Sequence, residues 1–236
     1  MFMNYSMHQI GTVNSPFKEK FGIPRQPGLV QGSDGTIELH APWDRQEALQ
    51  GLEGFSHIWI VFIFHEAIKP IEKWRPTVRP PRLGAKRQGV FATRSPYRPN
   101  PIGMSVVDYH GWEKRAGKLY LKISGLDLLD GTPVIDIKPY LPYADSLPEA
   151  VGGFAHQAPQ AEELMQVNFS DLALQQIEQV KEKYPKLQQL IETTIAHNPR
   201  PAYFGHIEAR TEFGMKLYEF NVQWEIVENL VRVKTL

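Results

Sequence analysis

The chain has 236 residues, enough for one large domain or two smaller ones, and its 42% apolar and 22% charged residues are ordinary for a soluble globular protein. Cysteine is absent, so disulfide bonds, thiolate nucleophiles and cysteine-ligated metals are excluded. The longest apolar run, residues 58–64, is too short for a membrane span, and the N-terminus lacks the basic and apolar regions of a secretory signal. We therefore expect a protein of the reducing cytoplasm.

The balanced net charge hides a strongly basic segment at residues 73–107. This basic segment contains eight Lys and Arg residues, six prolines and no Asp or Glu, which leaves 18 basic residues against 26 acidic ones elsewhere. Because proline fixes φ and lacks an amide donor, we predict stiff loops around one short strand at residues 89–93. Stiff loops that carry guanidinium groups lose little entropy when they bind phosphate or carboxylate.

Apolar alternation predicts strands at residues 8–13, 36–40, 55–65, 105–109, 119–124 and 133–138. Residues 55–65 are apolar on both faces and are predicted to form a central strand that is buried on both sides. Residues 18–35 contain too many Pro and Gly for regular structure, and the extended pair Arg25-Gln26 is either a surface turn or a rigid loop that faces a ligand. Since no helix alternates with these strands, the pattern favours a β-barrel or sandwich over a Rossmann-type sheet.

The composition changes after a predicted linker at residues 151–163. A strand at residues 164–169 precedes a helix that Ser170 or Asp171 can cap and that extends to residue 183. A second helix is predicted at residues 185–197, and a closing pair of strands at residues 217–222 and 224–233. We therefore divide the chain into a mainly β domain (residues 1–150), the linker, and a smaller α+β domain (residues 164–236).

Several kinds of site have no signature in this sequence. The motifs G-x-S-x-G, H-E-x-x-H and Walker A are absent, the eight histidines show no metal-ligand spacing, and no glycine-rich dinucleotide motif follows a strand. No metal is therefore expected. Trp74, Phe91 and Tyr97 are interspersed among the arginines of the basic segment, which is typical of an RNA-contacting surface. A solvated basic patch and a proline-rich ligand for an SH3-like partner are the alternatives.

Four stretches resemble the TsaA-like (YaeB/VirR) family: IPRQPGL at residues 23–29, WRPTVRPPRLG at 74–84, GVFATRSPYRPNPIGMS at 89–105 and DLLDGTPVIDIKPYLPYADS at 127–146. The R-S-x-x-R-P-N-P-I-G block is long and unusual, so the match is highly specific. The resemblance covers residues 8 to about 150, and the C-terminal third resembles the bacterial form of the family.

The resemblance implies a single-sheet β-barrel, unlike the Rossmann methyltransferases, and S-adenosylmethionine-dependent methylation of tRNA. The implied substrate is N6-threonylcarbamoyl-adenosine next to the anticodon of threonine tRNA, which gains an N6-methyl group. A homodimer with cofactor sites near the subunit interface is also implied. The family's cofactor positions match Arg25, Gln26, Pro27, His65, Glu66, Arg94, Met104, Asp130, Gly131, Thr132 and Pro133.

The chemistry of S-adenosylmethionine agrees with these positions. Arg94 or Arg25 can pair with its carboxylate. Glu66, Asp130 or backbone carbonyls can accept from its hydroxyl and ammonium groups, and Met104 and strand residues can cover the adenine. Methyl transfer is an in-line displacement that positioning and desolvation can promote, so no nucleophile is required from the protein. The catalytic residue is not identified by the sequence, and His65 is the candidate for a base.

The remaining basic residues of the segment are predicted to contact RNA: Arg75, Arg79, Arg82, Lys86, Arg87 and Arg98. Two other functions fit the same residues. One is a non-catalytic module that senses S-adenosylmethionine and binds RNA, and the other is a methyltransferase that acts on a different acceptor.

Overall fold

The computed structural model describes residues 4–83, 86–157, 164–200, 211–227 and 230–236. The strands within these residues are β1 (Gly11–Asn14), β2 (Gly35–Leu39), β3 (His57–Ile63), β4 (Thr77–Val78), β5 (Gln88–Gly89), β6 (Ile102–Arg115), β7 (Lys118–Ser124), β8 (Pro133–Pro139), β9 (Gln166–Phe169), β10 (Glu212–Leu217), β11 (Phe220–Val227) and β12 (Leu230–Thr235). The α-helices are α1 (Pro142–Asp145), α2 (Asp171–Val180) and α3 (Leu187–Ala196). None of the described helices is long and apolar enough to cross a bilayer.

Six strands form the first sheet, in the order β1-β2-β7-β6-β3-β8. Because β1 pairs antiparallel with both β2 and β8, the sheet closes on itself as a barrel. The strand β6 has 14 residues and forms a hairpin with β7 around Ala116-Gly117. The predicted mainly β character of this part of the chain is confirmed, and most strands lie within a few residues of their predicted positions. The exception is β6, which extends over residues 102–115, whereas the apolar alternation predicts a strand only at 105–109.

The central strand β3 lies between β6 and β8, but only one of its faces is buried. Ile58, Ile60 and Phe62 point inward and are at most 3% exposed. The alternate residues, such as Trp59 and Val61, are only half-buried. The prediction of burial on both sides is therefore wrong, because a closed sheet has one interior and the described residues leave the outer face of β3 partly open.

The prediction of a strand at residues 89–93 is also wrong. Only β5 forms there, paired with β4, and the chain then makes a 3-10 turn at Val90–Ala92. The Arg98 guanidinium donates to the carbonyls of Val90 and Thr93, so a side chain satisfies acceptors that a neighbouring strand would otherwise pair.

The C-terminal part contains a second sheet, in the order β10-β11-β12-β9, with β12 and β9 parallel. The helix α2 begins after Ser170, whose Oγ accepts from the Ala173 amide at 3.1 Å. The closing strands differ from the prediction, because the turn between β10 and β11 falls at Tyr218-Glu219 inside the predicted strand 217–222. Apolar alternation continues through that turn, and Tyr218 adopts its positive φ of 53° without a glycine to mark it.

The loop between β1 and β2, which we call the bridging loop (residues 15–34), packs between the barrel and the second sheet. Phe21 stacks on Trp224 with ring centroids 5.8 Å apart and an interplanar angle of 7°. Phe17 is 1% exposed and forms a β-bridge with Leu217. Buried apolar residues of the barrel, the bridging loop and the second sheet form one continuous cluster. The loop is therefore part of the core even though it lacks regular structure.

Gly22 is a position where the bridging loop packs closely against the second sheet. Its φ is +94°, and a Cβ there would lie 3.1 Å from the Met215 sulfur. We expect Gly22→Ala to lower the free energy of unfolding by about 1–3 kcal/mol, because the positive φ and the close sulfur both oppose a side chain. Urea unfolding measures this change. Gly54→Ala is the control, since a Cβ at Gly54 has open space around it, and its effect should stay within about 0.5–1 kcal/mol.

Candidate functional site

The bridging loop contacts three separate segments at one end of the barrel. The Ser15 amide donates to Asp130 Oδ1 at 2.8 Å, and Lys18 Nζ lies 2.8 Å from the other oxygen of Asp130. Lys20 Nζ lies 3.1 Å from Glu66 Oε2. Further along, Gln26 accepts from Arg94, and the Gly28 amide donates to the Gly125 carbonyl at 3.0 Å. One loop thus joins the motifs around residues 26, 66, 94 and 130.

Gln26 and Arg94 form the most direct contact among the predicted cofactor residues. The Gln26 side-chain oxygen accepts from Arg94 Nη1, and its amide nitrogen donates to the Arg25 carbonyl. Arg25 keeps contact with solvent, yet surrounding protein atoms and then the charge of Arg82 lower the pKa of its guanidinium. Because the repulsion between Arg25 and Arg82 is relieved by a negative charge, this neighbourhood favours a carboxylate or phosphate ligand.

Asp127 is an acidic residue of this site that the sequence analysis did not select. Its Oδ1 accepts from the buried Ser105 hydroxyl at 2.7 Å. Burial raises the pKa of Asp127 to about 6, while the bond from Ser105 and the positive charge of Arg94 act in the opposite direction. Arg94 is therefore influenced by a carboxamide on the bridging loop and by a carboxyl group of the barrel.

The polar side chains of the four-residue motif at 130–133 already have partners within the chain. Asp130 already accepts from the Ser15 amide and Lys18, and Thr132 Oγ1 donates to the Leu129 carbonyl at 2.6 Å. Gly131 is exposed with φ +77°, and Pro133 begins β8. Gly131 is therefore the most exposed residue of this motif, and its amide donates to the Val13 carbonyl at 2.9 Å.

His65 and Glu66 lie in the 3-10 turn His65–Ala67 directly after β3. Glu66 is tied to the bridging loop by Lys20, which also donates to the Glu66 carbonyl at 3.0 Å. Met104 is 57% exposed on the outer face of β6, opposite Val61, whereas the next residue, Ser105, points inward. Met104 therefore faces away from Asp127 and lines the outer wall of the barrel.

The residues predicted to contact RNA differ in their surroundings. The exposed ones with side chains directed to solvent are Arg75, Arg79, Lys86 and Arg87. Arg82 is exposed but donates to the Gln157 carbonyl at 2.6 Å. Arg98 is half-buried, and its guanidinium supports the turn at residues 90–93. In the described part of the chain, no group of three or more His, Asp or Glu residues is arranged to hold a metal ion.

Comparison with known proteins covers almost the whole chain. A family model described as the tRNA-methyltransferase O N-terminal domain matches residues 12–146, and the corresponding C-terminal domain model matches residues 162–236. The chain belongs to the tRNA-methyltransferase O family. It is 47% identical over 226 residues to the Escherichia coli tRNA (adenine(37)-N6)-methyltransferase, covering 95% of this chain and 94% of that protein.

Two further proteins similar to this chain come from Pseudomonas aeruginosa. A putative S-adenosylmethionine-dependent methyltransferase called RcsF is 46% identical over 234 residues, covering 98% of this chain and 97% of the relative. The crystal structure of TrmO from the same species superimposes with a TM-score of 0.79 at 40% identity, covering 99% of this chain and 98% of that one. The family to which the four sequence stretches point is thereby confirmed.

We expect the stability of the protein to depend on the titration of Asp127. Its pKa is raised in the folded state to about 6 from an ordinary 3.8, so the folded state binds more protons between these values. The contribution of Asp127 to stability is therefore fully present below about pH 4. As the pH rises through about 6 this contribution is lost, and the free energy of unfolding falls by at most about 3 kcal/mol. Urea unfolding at several pH values measures the free energy of unfolding.

Asp127→Asn should remove this part of the pH dependence, because the amide does not titrate. Asp136→Asn is the matched control, since the Asp136 side chain is 46% exposed and pairs with Lys138 on the outside of the barrel. An Asp127→Asn variant whose stability varied with pH like that of the unmodified protein would contradict the assignment.

Proposed function

We propose that the protein is an S-adenosylmethionine-dependent tRNA methyltransferase that adds an N6-methyl group to N6-threonylcarbamoyl-adenosine next to the anticodon of threonine tRNA. The observation that carries the proposal is the bridging loop, which contacts Asp130, Glu66 and Arg94 and so gathers the cofactor motifs at one end of the barrel. Relatives that match nearly the full length of the chain are named as tRNA (adenine(37)-N6)-methyltransferase and as a putative S-adenosylmethionine-dependent methyltransferase.

The cofactor carries a carboxylate, which suits the cationic neighbourhood of Arg25, Arg82 and Arg94. In the reaction the acceptor nitrogen forms a bond to the methyl carbon while the bond from that carbon to sulfur breaks, and the nitrogen loses a proton. The role of the protein is then to align donor and acceptor at near-attack distance, roughly 3–3.5 Å. We keep His65 as the candidate acceptor of the proton, since it lies beside Glu66 at the end of β3.

The RNA would lie along the basic segment, where Arg75, Arg79, Lys86 and Arg87 are exposed. A homodimer is part of the proposal, and the outer face of β3 and β6 supports it. That face carries Trp59, Val61 and Met104 on adjacent paired strands, with Met104 57% exposed. We also propose a cytoplasmic location. The proposed division is residues 1–150, a linker at 151–163, and residues 164–236; within the linker, residues 158–163 lie outside the described part of the chain.

The activity test is transfer of a radioactive methyl group from S-adenosylmethionine to threonine tRNA that carries the threonylcarbamoyl group. We expect incorporation into that tRNA and none into the same tRNA without the modification. Cofactor and tRNA binding without transfer would favour a non-catalytic sensor, whereas transfer to a small molecule alone would favour a different acceptor.

Arg94→Ala should weaken cofactor binding by about 1.5–3 kcal/mol, because a charge-assisted hydrogen bond to the carboxylate is lost. Isothermal titration calorimetry with S-adenosylmethionine measures the change. Arg45→Ala is the control, because Arg45 is exposed beside Glu47 and lies outside all the cofactor motifs. Unchanged affinity in the Arg94 variant would refute its assignment to the cofactor.

Arg79→Ala should weaken tRNA binding and make it less dependent on salt. Each lost phosphate contact makes the negative slope of log K against log salt shallower by about 0.7–0.9, because fewer counterions are released. Binding at several salt concentrations gives the slope. Arg115→Ala, at the far end of β6 and paired with Glu113, should leave both the affinity and the slope unchanged.

A further inference from the structure

Phe91 is a large apolar side chain that is 73% exposed on a firmly held turn. The residue before it, Val90, is 1% exposed, and its amide donates to the Pro76 carbonyl at 2.9 Å. The Val90 carbonyl accepts from Thr93 Oγ1 at 2.8 Å and from Arg98 Nη1 at 3.2 Å. The turn therefore presents the phenyl ring to solvent on a backbone that is fixed from both sides.

The charge around Phe91 is entirely positive in the local sequence. Arg98 Cζ lies 5.8 Å from the centre of the Phe91 ring, close enough for a cation–π contact, and donates to the Thr93 carbonyl at 2.8 Å. Lys86 and Arg87 precede the turn and are exposed, and no acidic residue occurs between residues 73 and 107. A ligand that covers the ring must therefore combine an apolar, flat surface with negative charge nearby.

A second copy of the chain meets this requirement poorly. A two-fold contact brings the same surface of each subunit together, so the basic residues around one Phe91 would face those around the other and repel them. An unpaired nucleobase meets it well, because its π face stacks on an aromatic ring while its phosphates contact the neighbouring cations.

We propose that Phe91 is a stacking platform for an unpaired nucleobase of the bound RNA. Arg98 is the positioning residue for this platform, since its guanidinium holds the carbonyls of the turn and lies over the ring. The inference rests on the proposed function for the identity of the polymer, and it adds a contact to the base where the basic segment alone provides contacts to phosphate. The base belongs to a single-stranded part of the RNA, because a paired and stacked base has no free face.

The test uses the full chain with S-adenosylmethionine and an RNA hairpin of the anticodon stem and loop. Phe91→Ala should weaken binding of the hairpin roughly 5- to 150-fold, the range that the loss of one stacked base gives. Phe91→Trp should bind like the unmodified protein, because it keeps a stacking surface. The slope of log K against log salt should not change in either variant, since no ionic contact is removed.

A fluorescent purine analogue placed in turn at each loop position locates the base. One position should be quenched by the unmodified protein and by Phe91→Trp, but not by Phe91→Ala. A fully paired duplex of the same length should bind equally to all three proteins. The control Leu172→Ala, which removes an exposed apolar side chain from α2, should leave hairpin binding unchanged.

Four results would overturn the inference: equal hairpin binding by Phe91→Ala, an equal loss for the duplex, a loss of S-adenosylmethionine affinity measured by calorimetry, or dissociation of a dimer measured by sedimentation. The third would assign Phe91 to the cofactor and the fourth to a subunit interface. The proposed function is tested separately, because RNA stacking without methyl transfer would refute the activity and keep the platform. Methyl transfer by the unmodified protein, together with unaffected RNA binding by Phe91→Ala, would support the activity and refute the platform.

Discussion

The bridging loop, residues 15–34, is the element on which the rest of the structure depends. On one side it is held by Asp130 and Glu66 through Lys18 and Lys20, and on the other it packs Phe21 against Trp224. A loop with this many prolines and glycines has no regular hydrogen-bond ladder of its own, so its shape comes from these two sets of contacts. The C-terminal sheet therefore contributes to the candidate site without supplying most of its residues.

The charged residues of the site fall into two groups: those whose charge is neutralised by a partner in the chain, and those whose charge is not. Glu66 and Asp130 each have a lysine partner, so their charges are compensated by the chain itself. Arg25 and Arg82 oppose each other, and Asp127 is a carboxyl group whose burial raises its pKa to about 6. An anionic group placed beside the arginines removes a repulsion that the protein otherwise retains, which is the arrangement expected where a charged ligand binds.

The sequence predicted local features well and side-chain directions poorly. Strand alternation located β2, β7 and β8, because the period of an inward-facing row depends only on nearby residues. It could not show that the turn at Tyr218 interrupts an apolar pattern, or that Arg98 turns back to bond two carbonyls. Nor could it distinguish Asp127 from Asp130, since both lie in one acidic turn and only the structure shows that the buried Ser105 hydroxyl donates to Asp127. The site residues that follow from resemblance remain predictions for this chain.

The contacts of the bridging loop also constrain the order in which the molecule folds. The Lys216 amide donates to Glu19 Oε1 at 3.0 Å across a separation of 197 positions. A ribosome makes the loop early and its C-terminal support late, and contacts of such high sequence separation are slow to form. The barrel strands can pair while the loop still lacks half of its packing. The end of the barrel that carries the candidate site is then among the last regions to reach its final shape, and until then Phe21 and its apolar neighbours are exposed to chaperones and to aggregation.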